Sequence, residues 1–130
     1  MESNMGPFIS IKKNKEFGKV YKMGKSIVDK YLVLYFLPNQ QRFTRFGFST
    51  GKKIGKAVIR NRIKRIMREI CRTNSNLIKT GYDCVIIIRP RITQDPTYRN
   101  MEKSFLKLVT RADLLRKEMK QNENRYNRGD

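Results

Sequence analysis

Residues 51–72 constrain the fold more than any other segment, because they predict one long helix with two unlike faces. The segment contains no Pro and, after Gly55, no Gly, so nothing in it interrupts a helix. At about 100° per residue, apolar side chains recur at spacings of three and four along one face. This apolar stripe, which predicts packing against a core, comprises Ile59, Ile63, Ile66, Met67 and Ile70.

The remaining surface of this helix and its lead-in is cationic. The segment holds nine Lys or Arg but a single acid, Glu69. A solvated helix face normally interleaves both signs, since like charges one turn apart repel each other. The planar guanidinium of Arg also suits bidentate contact with phosphate. We therefore predict that a nucleic-acid backbone binds this surface through Lys52, Lys53, Lys56, Arg60, Asn61, Arg62, Lys64, Arg65, Arg68 and Arg72.

The overall composition also indicates a polyanionic partner. The chain of 130 residues carries 30 Lys or Arg against 11 Asp or Glu, a formal net charge of +19. This excess is far larger than solubility requires and is typical of phosphate-binding proteins. No apolar run reaches the roughly 20 residues of a membrane-spanning helix, and the first residues lack the pattern of a signal peptide. We expect a single RNA-binding domain, residues 1–130, that is cytoplasmic and binds no membrane.

The residue types argue against catalysis by the chain itself. It has no His, and its acids are scattered without the pairing that acid–base or metal-dependent hydrolysis needs. Gly51 and Gly55 lack the GKS or GKT ending of a phosphate-cradling loop. Cys71 and Cys84 sit in apolar surroundings and are predicted to be buried, reduced thiols. We therefore predict no catalytic and no metal-ligating residues.

Before the basic helix, the sequence predicts an arm, a helix and two strands. Residues 1–12 show no periodicity and are expected to form a mobile arm. Asn14 is the expected cap of a short helix that stops at Gly24. Residues 26–37 and 45–50 are rich in strand-forming side chains, and the turn residues between them predict an antiparallel hairpin.

After the basic helix, residues 82–89 are predicted to be the most deeply buried strand, which Pro90 ends. Asp95 and Pro96 are expected to start a final helix, and residues 118–130 to form a disordered tail. The core-facing stripe predicted for the final helix is Tyr98, Met101, Phe105, Leu108, Ala112 and Leu115. The order α-β-β-α-β-α predicts an α/β (α+β) two-layer sandwich with one small mixed sheet.

Residues 54–68, IGKAVIRNRIKRIMR, resemble the signature of the protein subunit of bacterial ribonuclease P. That signature has an apolar residue, an Ala, an Arg-Asn-Arg triplet, an aliphatic residue, two basic residues and a final basic residue. The matching positions are Ile54, Ala57, Arg60, Asn61, Arg62, Ile63, Lys64, Arg65 and Arg68. The similarity extends over about residues 12–115 and includes Phe17, Val20 and the segment YLVLYFL.

The resemblance implies an accessory subunit of the ribonuclease P ribonucleoprotein, which removes the 5′ leader of precursor tRNA. In such a holoenzyme the RNA is the catalyst and holds most of the Mg²⁺, so the protein alone is expected to be inactive. The basic helix would face the catalytic RNA, and a groove beside the first helix would bind the single-stranded leader. The implied groove residues are Phe17, Tyr21, Val33 and Tyr35, with Lys52 and Lys53 near the edge. The resemblance also implies a left-handed crossover through the basic helix.

Three other functions fit parts of the sequence. A small basic ribosomal protein, with its helix lying in rRNA, would have the same size and charge. A DNA-binding helix-turn-helix is disfavoured, because strands rather than a second helix flank the basic helix. A metal-dependent nuclease acting without RNA is disfavoured by the scattered acids.

Overall fold

A computed structural model describes residues 9–94 and 96–116 of the chain. The helices are α1 (Asn14–Met23), α2 (Ala57–Thr73) and α3 (Tyr98–Arg111). The strands are β1 (Ile9–Ser10), β2 (Lys25–Val28), β3 (Leu32–Pro38), β4 (Arg45–Thr50) and β5 (Tyr82–Ile88). Short 3-10 helices occupy Lys52–Ile54, Ser75–Leu77 and Pro90–Gln94. The predicted α/β architecture with a small mixed sheet is confirmed.

The sheet has the order β1-β4-β5-β3-β2, and its centre is β5. β4 pairs with β5 in parallel, whereas β3 pairs with β5, and β2 with β3, in antiparallel fashion. β5 takes the central position because its run of Val85 and three isoleucines can be buried on both faces. The antiparallel hairpin predicted for residues 26–37 and 45–50 is therefore wrong, since β5 lies between β3 and β4.

The single long strand predicted for residues 26–37 is also wrong. The chain reverses after Val28, and the amide of Asp29 donates to the carbonyl of Leu32 across the turn at 2.8 Å. β2 and β3 thus form an antiparallel hairpin within the segment that was predicted to be one strand.

The β4–α2–β5 connection joins two adjacent parallel strands, as the resemblance implied. Its left-handedness stays a prediction.

The sheet has a fully covered face and a partly covered one. α2 and α3 pack on the first face, where Leu32, Leu34, Ile86 and Phe105 form part of the main core. α1 packs on the second face over a smaller cluster of Ile11, Val20 and Val85. The second face is therefore the one on which a groove can remain open.

The arm predicted for residues 1–12 is ordered from Ile9 onward. Ile9 and Ser10 pair in parallel with the start of β4, and the amide of Ile11 donates to the carbonyl of Phe46 at 2.9 Å. Ile11 is buried beneath α1, which supplies the apolar contact that holds this segment in place. The rest of the arm and the tail predicted for residues 118–130 lie outside the described residues.

α2 begins at Ala57, and the predicted apolar stripe packs on the core except at Ile59. The buried side chains are Ile63, Met67, Ile70 and Cys71, whereas Ile59 is 43% exposed. The first turn of α2 lies outside the core, so the periodicity there does not correspond to burial. Both cysteines are buried and form no disulfide.

The other two helices do not start where the sequence predicted: α1 starts one residue earlier and α3 two residues later. α1 begins at Asn14 with Lys13 at the N-cap, and no side chain caps it. α3 begins at Tyr98, where the hydroxyl of Thr97 accepts a hydrogen bond from the amide of Asn100 at 3.1 Å. Thr97 is therefore the cap; Asp95, the predicted cap, lies outside the described residues. Gly24 follows α1 as predicted.

Candidate nucleic-acid interface

The predicted RNA-binding face of α2 is largely on the surface. Asn61, Arg62, Arg65 and Arg68 are exposed, and the core residues of α2 lie on the other side of the helix. Arg60 is half-buried, and its guanidinium donates to the carbonyl of Gly55 at 3.4 Å. The helix therefore holds these cationic side chains at regular spacings along its exposed face.

Arg72 differs from the other arginines of α2 because an acid neutralises it. Its guanidinium donates to both carboxylate oxygens of Glu69, at 3.2 and 2.5 Å. This hydrogen bond raises the pKa of Arg72 above its usual value. The pair carries no net charge, so Arg72 offers less to a phosphate than Arg65 does.

The predicted cations Lys52, Lys53 and Lys56 are exposed at the approach to α2. Lys52 and Lys53 lie in the 3-10 helix directly after β4, and Lys56 is the N-cap of α2. The first turn of α2 contains no acid and no capping side chain. The positive end of the helix dipole therefore adds to the charge of these lysines.

A groove lies between α1, β4 and α2 and consists of two hollows that share Phe17, Phe48 and Lys64. One hollow has a volume of about 270 Å³ and extends toward β1 and Arg68. The other has a volume of about 410 Å³ and extends toward Tyr21. No acid lines either hollow among the residues that the structure describes. The groove thus combines aromatic rings with cations.

The aromatic side of the groove is formed by Phe17 and Tyr21 of α1, and Tyr35 of β3 supports Tyr21 from outside the two hollows. The rings of Tyr21 and Tyr35 meet edge to face, with centroids 5.1 Å apart, and the ring of Phe17 lies 6.4 Å from that of Tyr21. Phe17 and Tyr35 also pack on the small core cluster, which fixes their positions. Tyr21 remains 37% exposed, so its ring is accessible from the groove.

Gly47 allows Phe17 to lie directly against the sheet. A Cβ atom at position 47 would lie 2.6 Å from Cζ of Phe17, which is closer than real Cβ contacts come. The absence of a side chain at this position of β4 therefore sets the depth of the groove.

The second face of the sheet continues beyond α1. Val33 pairs with Ile87, which in turn pairs with Ser49, so these three side chains share one row of that face. All three are half-buried, whereas Val85, in the row beneath α1, is fully buried. Val33, a predicted groove residue, thus lies in an open row next to that of Tyr35.

Arg45 holds the first turn of α1 on the sheet. Its Nη1 donates to Glu16 at 2.9 Å, and its Nε and Nη2 donate to the two oxygens of Asp83 at 2.9 and 2.6 Å. Burial alone would raise the pKa of Asp83, but hydrogen bonds from Arg45 and Asn39 outweigh it and lower that pKa. The hydrogen bond from Arg45 likewise lowers the pKa of Glu16. All three groups therefore remain charged at neutral pH.

Several groove residues were not predicted from the sequence. Lys64 was predicted to be part of the helix face but also lines both hollows, next to Phe17. The lining residues that sequence reasoning missed include Lys12, Asn14, Gly47, Phe48, Ser49 and Thr50. Only Lys12 and Phe48, a cation and an aromatic residue close to the recognised segments, carried a usable signal.

Within residues 9–94 and 96–116, no three His, Cys, Asp or Glu side chains come together as a metal site. No described helix is long and apolar enough to cross a bilayer.

Comparisons with known proteins point to one family. The family model described as Ribonuclease P matches residues 5–113. The ribonuclease P protein component of Clostridioides difficile is 46% identical over 105 residues, which cover 80% of this chain and 91% of that protein. The corresponding component of Natranaerobius thermophilus is 38% identical and covers 87% of this chain and 97% of its own length.

Solved structures agree with these sequence matches. The RNase P protein of Staphylococcus aureus superposes with a TM-score of 0.75 at 32% identity, covering 85% of this chain and 100% of that one. The RNase P protein of Thermotoga maritima gives a TM-score of 0.74 at 31% identity, covering 78% and 96%.

Proposed function

This chain belongs to the family of ribonuclease P protein components, and from that membership we propose that it is the accessory protein subunit of a ribonuclease P ribonucleoprotein. It binds the catalytic RNA and the 5′ leader of precursor tRNA and promotes endonucleolytic removal of the leader. The RNA cleaves the phosphodiester bond, and the protein positions the leader and contributes positive charge.

Two surfaces divide this work. The exposed face of α2, with Arg62, Arg65 and Arg68, binds phosphates of the catalytic RNA, where Arg can contact two oxygens at once. The groove beside α1 binds the single-stranded leader, whose unpaired bases stack on aromatic rings such as Tyr21. Because Lys64 lines the groove and belongs to α2, the two RNAs are brought close together.

The groove is the observation that carries this proposal. A face that only coats folded rRNA needs cations, and it does not need aromatic rings in a channel. Here Phe17 and Tyr21 line the groove beside Lys64, and Tyr35 packs against the ring of Tyr21. Stacking on such rings accepts any base, which suits leaders of differing sequence.

Mg²⁺ is the expected metal ion, and we place it on the RNA. The described residues do not fit a protein-held Mg²⁺ site, because no carboxylates cluster beside the groove. Mg²⁺ held by the RNA would stabilise the charge that develops at the scissile phosphate. The lysines and arginines of the chain neutralise neighbouring phosphates, which reduces the number of ions needed to bring two RNAs together.

Reconstitution tests the proposal directly. The purified chain is added to ribonuclease P RNA and precursor tRNA at a Mg²⁺ concentration at which the RNA alone is nearly inactive. We expect release of the 5′ leader to be restored, while the protein without RNA gives no cleavage. A ribosomal rRNA-binding protein would bind RNA without restoring cleavage, and that result would overturn the proposal.

A further inference from the structure

The outer face of α3 carries a second row of cations. Arg99, Lys103, Lys107 and Arg111 follow one another at spacings of four residues, and all four are exposed. Four residues advance a helix by about 6 Å and turn it by about 40°. The four side chains therefore form a shallow spiral along one side of α3, opposite the side that is buried in the core.

Little in the described structure neutralises this row. Glu102, the single acid within α3, accepts a hydrogen bond from the side-chain amide of Asn74 at 2.9 Å. Among residues 9–94 and 96–116, no carboxylate forms an ion pair with any of the four cations. Like charges at i and i+4 destabilise a helix, so a row without acids is unfavourable unless a polyanion binds it.

The turn between β2 and β3 places a fifth cation beside this row. Nη1 of Arg111 donates to the carbonyl of Val28 at 3.0 Å, and the hydroxyl of Ser104 donates to the carboxylate of Asp29. Both contacts tie the turn to α3. Lys30, the next residue of the turn, is therefore held at a fixed distance from the helix.

A polar pocket of about 210 Å³ lies between the turn and α3. Its lining includes Lys30, Lys103 and Lys107, together with the side chains of Tyr31 and Asn100. Asp29 is the one carboxylate in this lining, and it already accepts the hydroxyl of Ser104. Three lysines in the lining of one concave polar surface give it a positive charge that suits the non-bridging oxygens of a phosphate.

This pocket lies at the edge of the sheet opposite the groove. β2 and β4 are separated by three strand spacings in the sheet, roughly 14 Å at about 4.8 Å each. The pocket shares no residue with the two hollows of the groove or with the cationic face of α2. A phosphate bound there would therefore be a contact additional to those of the groove and of α2.

We propose that the α3 row, with Lys30, is a second binding surface for the phosphodiester backbone of RNA. This inference rests on the proposed function and extends it, because it gives the ribonucleoprotein a contact on the opposite edge of the sheet. The strand bound there comes either from the catalytic RNA or from the precursor tRNA. The chemistry is the same in both cases, so two titrations distinguish them.

The test uses the double variant Lys103→Gln, Lys107→Gln. Gln keeps the helix propensity and much of the side-chain length but removes the charge. The control, Lys22→Gln with Lys25→Gln, removes the same charge from two exposed lysines that line none of the described hollows. The first titration measures the affinity of each protein for ribonuclease P RNA against salt. The second measures the affinity of each reconstituted holoenzyme for precursor tRNA.

We expect the α3 variant to bind more weakly and to flatten the log–log salt dependence by roughly 1.4 to 1.8 units, because two phosphate contacts are lost. The control pair should change the slope by less than half as much. A change in the first titration assigns the strand to the catalytic RNA, and a change in the second alone assigns it to the precursor. Equal slopes for both variants in both titrations would overturn the inference. Failure of the wild-type chain to bind the RNA would instead overturn the proposed function.

Discussion

The guanidinium of Arg45 binds both carboxylate oxygens of Asp83, at 2.9 and 2.6 Å, and so joins β4 to β5 at the level of α1. The same guanidinium reaches Glu16 in the first turn of α1. Asp83 is only 7% exposed, so its charge is tolerated because of these contacts. This network fixes the helix that forms one wall of the groove.

Arg45→Met should destabilise the chain in a pH-dependent manner. At pH 7 we expect a loss of about 1–3 kcal/mol in the free energy of unfolding, since the variant leaves a poorly solvated carboxylate. The pKa of Asp83 is lowered in the folded state, so its contribution is complete above the unfolded value of about 3.9 and fades as the pH falls through the folded value. Urea unfolding at pH 7, 5 and 3 measures the effect.

The difference between wild type and variant should therefore shrink toward pH 3. Arg42→Met, at an exposed turn position, is the control and should have little effect at any pH. A loss of equal size at pH 3 and pH 7 would show that the ion pair is not the cause.

Arg65→Ala or Arg68→Ala should weaken assembly with ribonuclease P RNA. Each lost phosphate contact flattens the log–log salt dependence of affinity by roughly 0.7 to 0.9 units. Arg72→Ala provides the comparison, because Glu69 already neutralises that guanidinium. Filter binding across a salt series measures all three slopes. Equal slope changes for Arg65 and Arg72 would contradict the distinction drawn from the ion pair.

Phe17→Ala should impair binding of the leader and spare the tRNA body. Loss of one base–aromatic contact, worth about 1–3 kcal/mol, corresponds to a rise in KM of roughly 5- to 150-fold for leader-bearing precursor. The affinity of the holoenzyme for mature tRNA should not change. Phe43→Ala removes an exposed ring outside the groove and serves as the control. Equal losses for precursor and mature tRNA would mean that the leader does not lie against Phe17.

Gly47→Ala should reproduce part of this effect without altering any aromatic residue. The added Cβ would come within 2.6 Å of the ring of Phe17, which must move into the groove. We expect KM for precursor tRNA to rise, together with a lower melting temperature.

Gly18→Ala is the matched control, since nothing lies within 4 Å of a Cβ at that position of α1. That variant should be stabilised by about 0.5–1 kcal/mol, as Ala replaces Gly in a helix. Normal KM in the Gly47 variant would show that the ring position is not critical.

The elements that the sequence predicted well are those with a strong local pattern. β4 spans the predicted residues, β5 ends one residue before the predicted end, and α2 ends one residue after the predicted segment although it begins only at Ala57. In each of these elements, the pattern of apolar residues and a nearby Gly or Pro were enough to predict the type of element. Cys71 and Cys84 are buried as predicted, because their neighbours in sequence are core residues.

The pairing of strands was not predictable in the same way. Residues 26–37 are apolar on both faces, which hides the turn at Asp29 because no alternation is broken there. Local pattern also says nothing about which strand becomes the neighbour of β4. The central place of β5 depends on competition among all strands for burial, and this is a property of the whole fold.

The candidate site shows the same division. The cations of α2 were recognisable because they crowd a single helix, whereas the row on α3 is spread over its whole length between core residues. Its four-residue spacing was a usable signal that the core stripe obscured. Groove residues such as Gly47 and Ser49 have no chemical signature, and only the packing of α1 on the sheet identifies them.

The central position of β5 has a consequence for synthesis of the protein. β3 and β4 do not pair with each other, and both are joined to the sheet by a strand that begins only at Tyr82. A ribosome-bound chain that already includes Phe17, Tyr21 and the whole of α2 therefore still lacks β5, the central strand of the sheet on which these elements pack. Because domains made from distant pairings fold late and slowly, the nascent polypeptide exposes its arginine-rich helix before the groove beside α1 has formed.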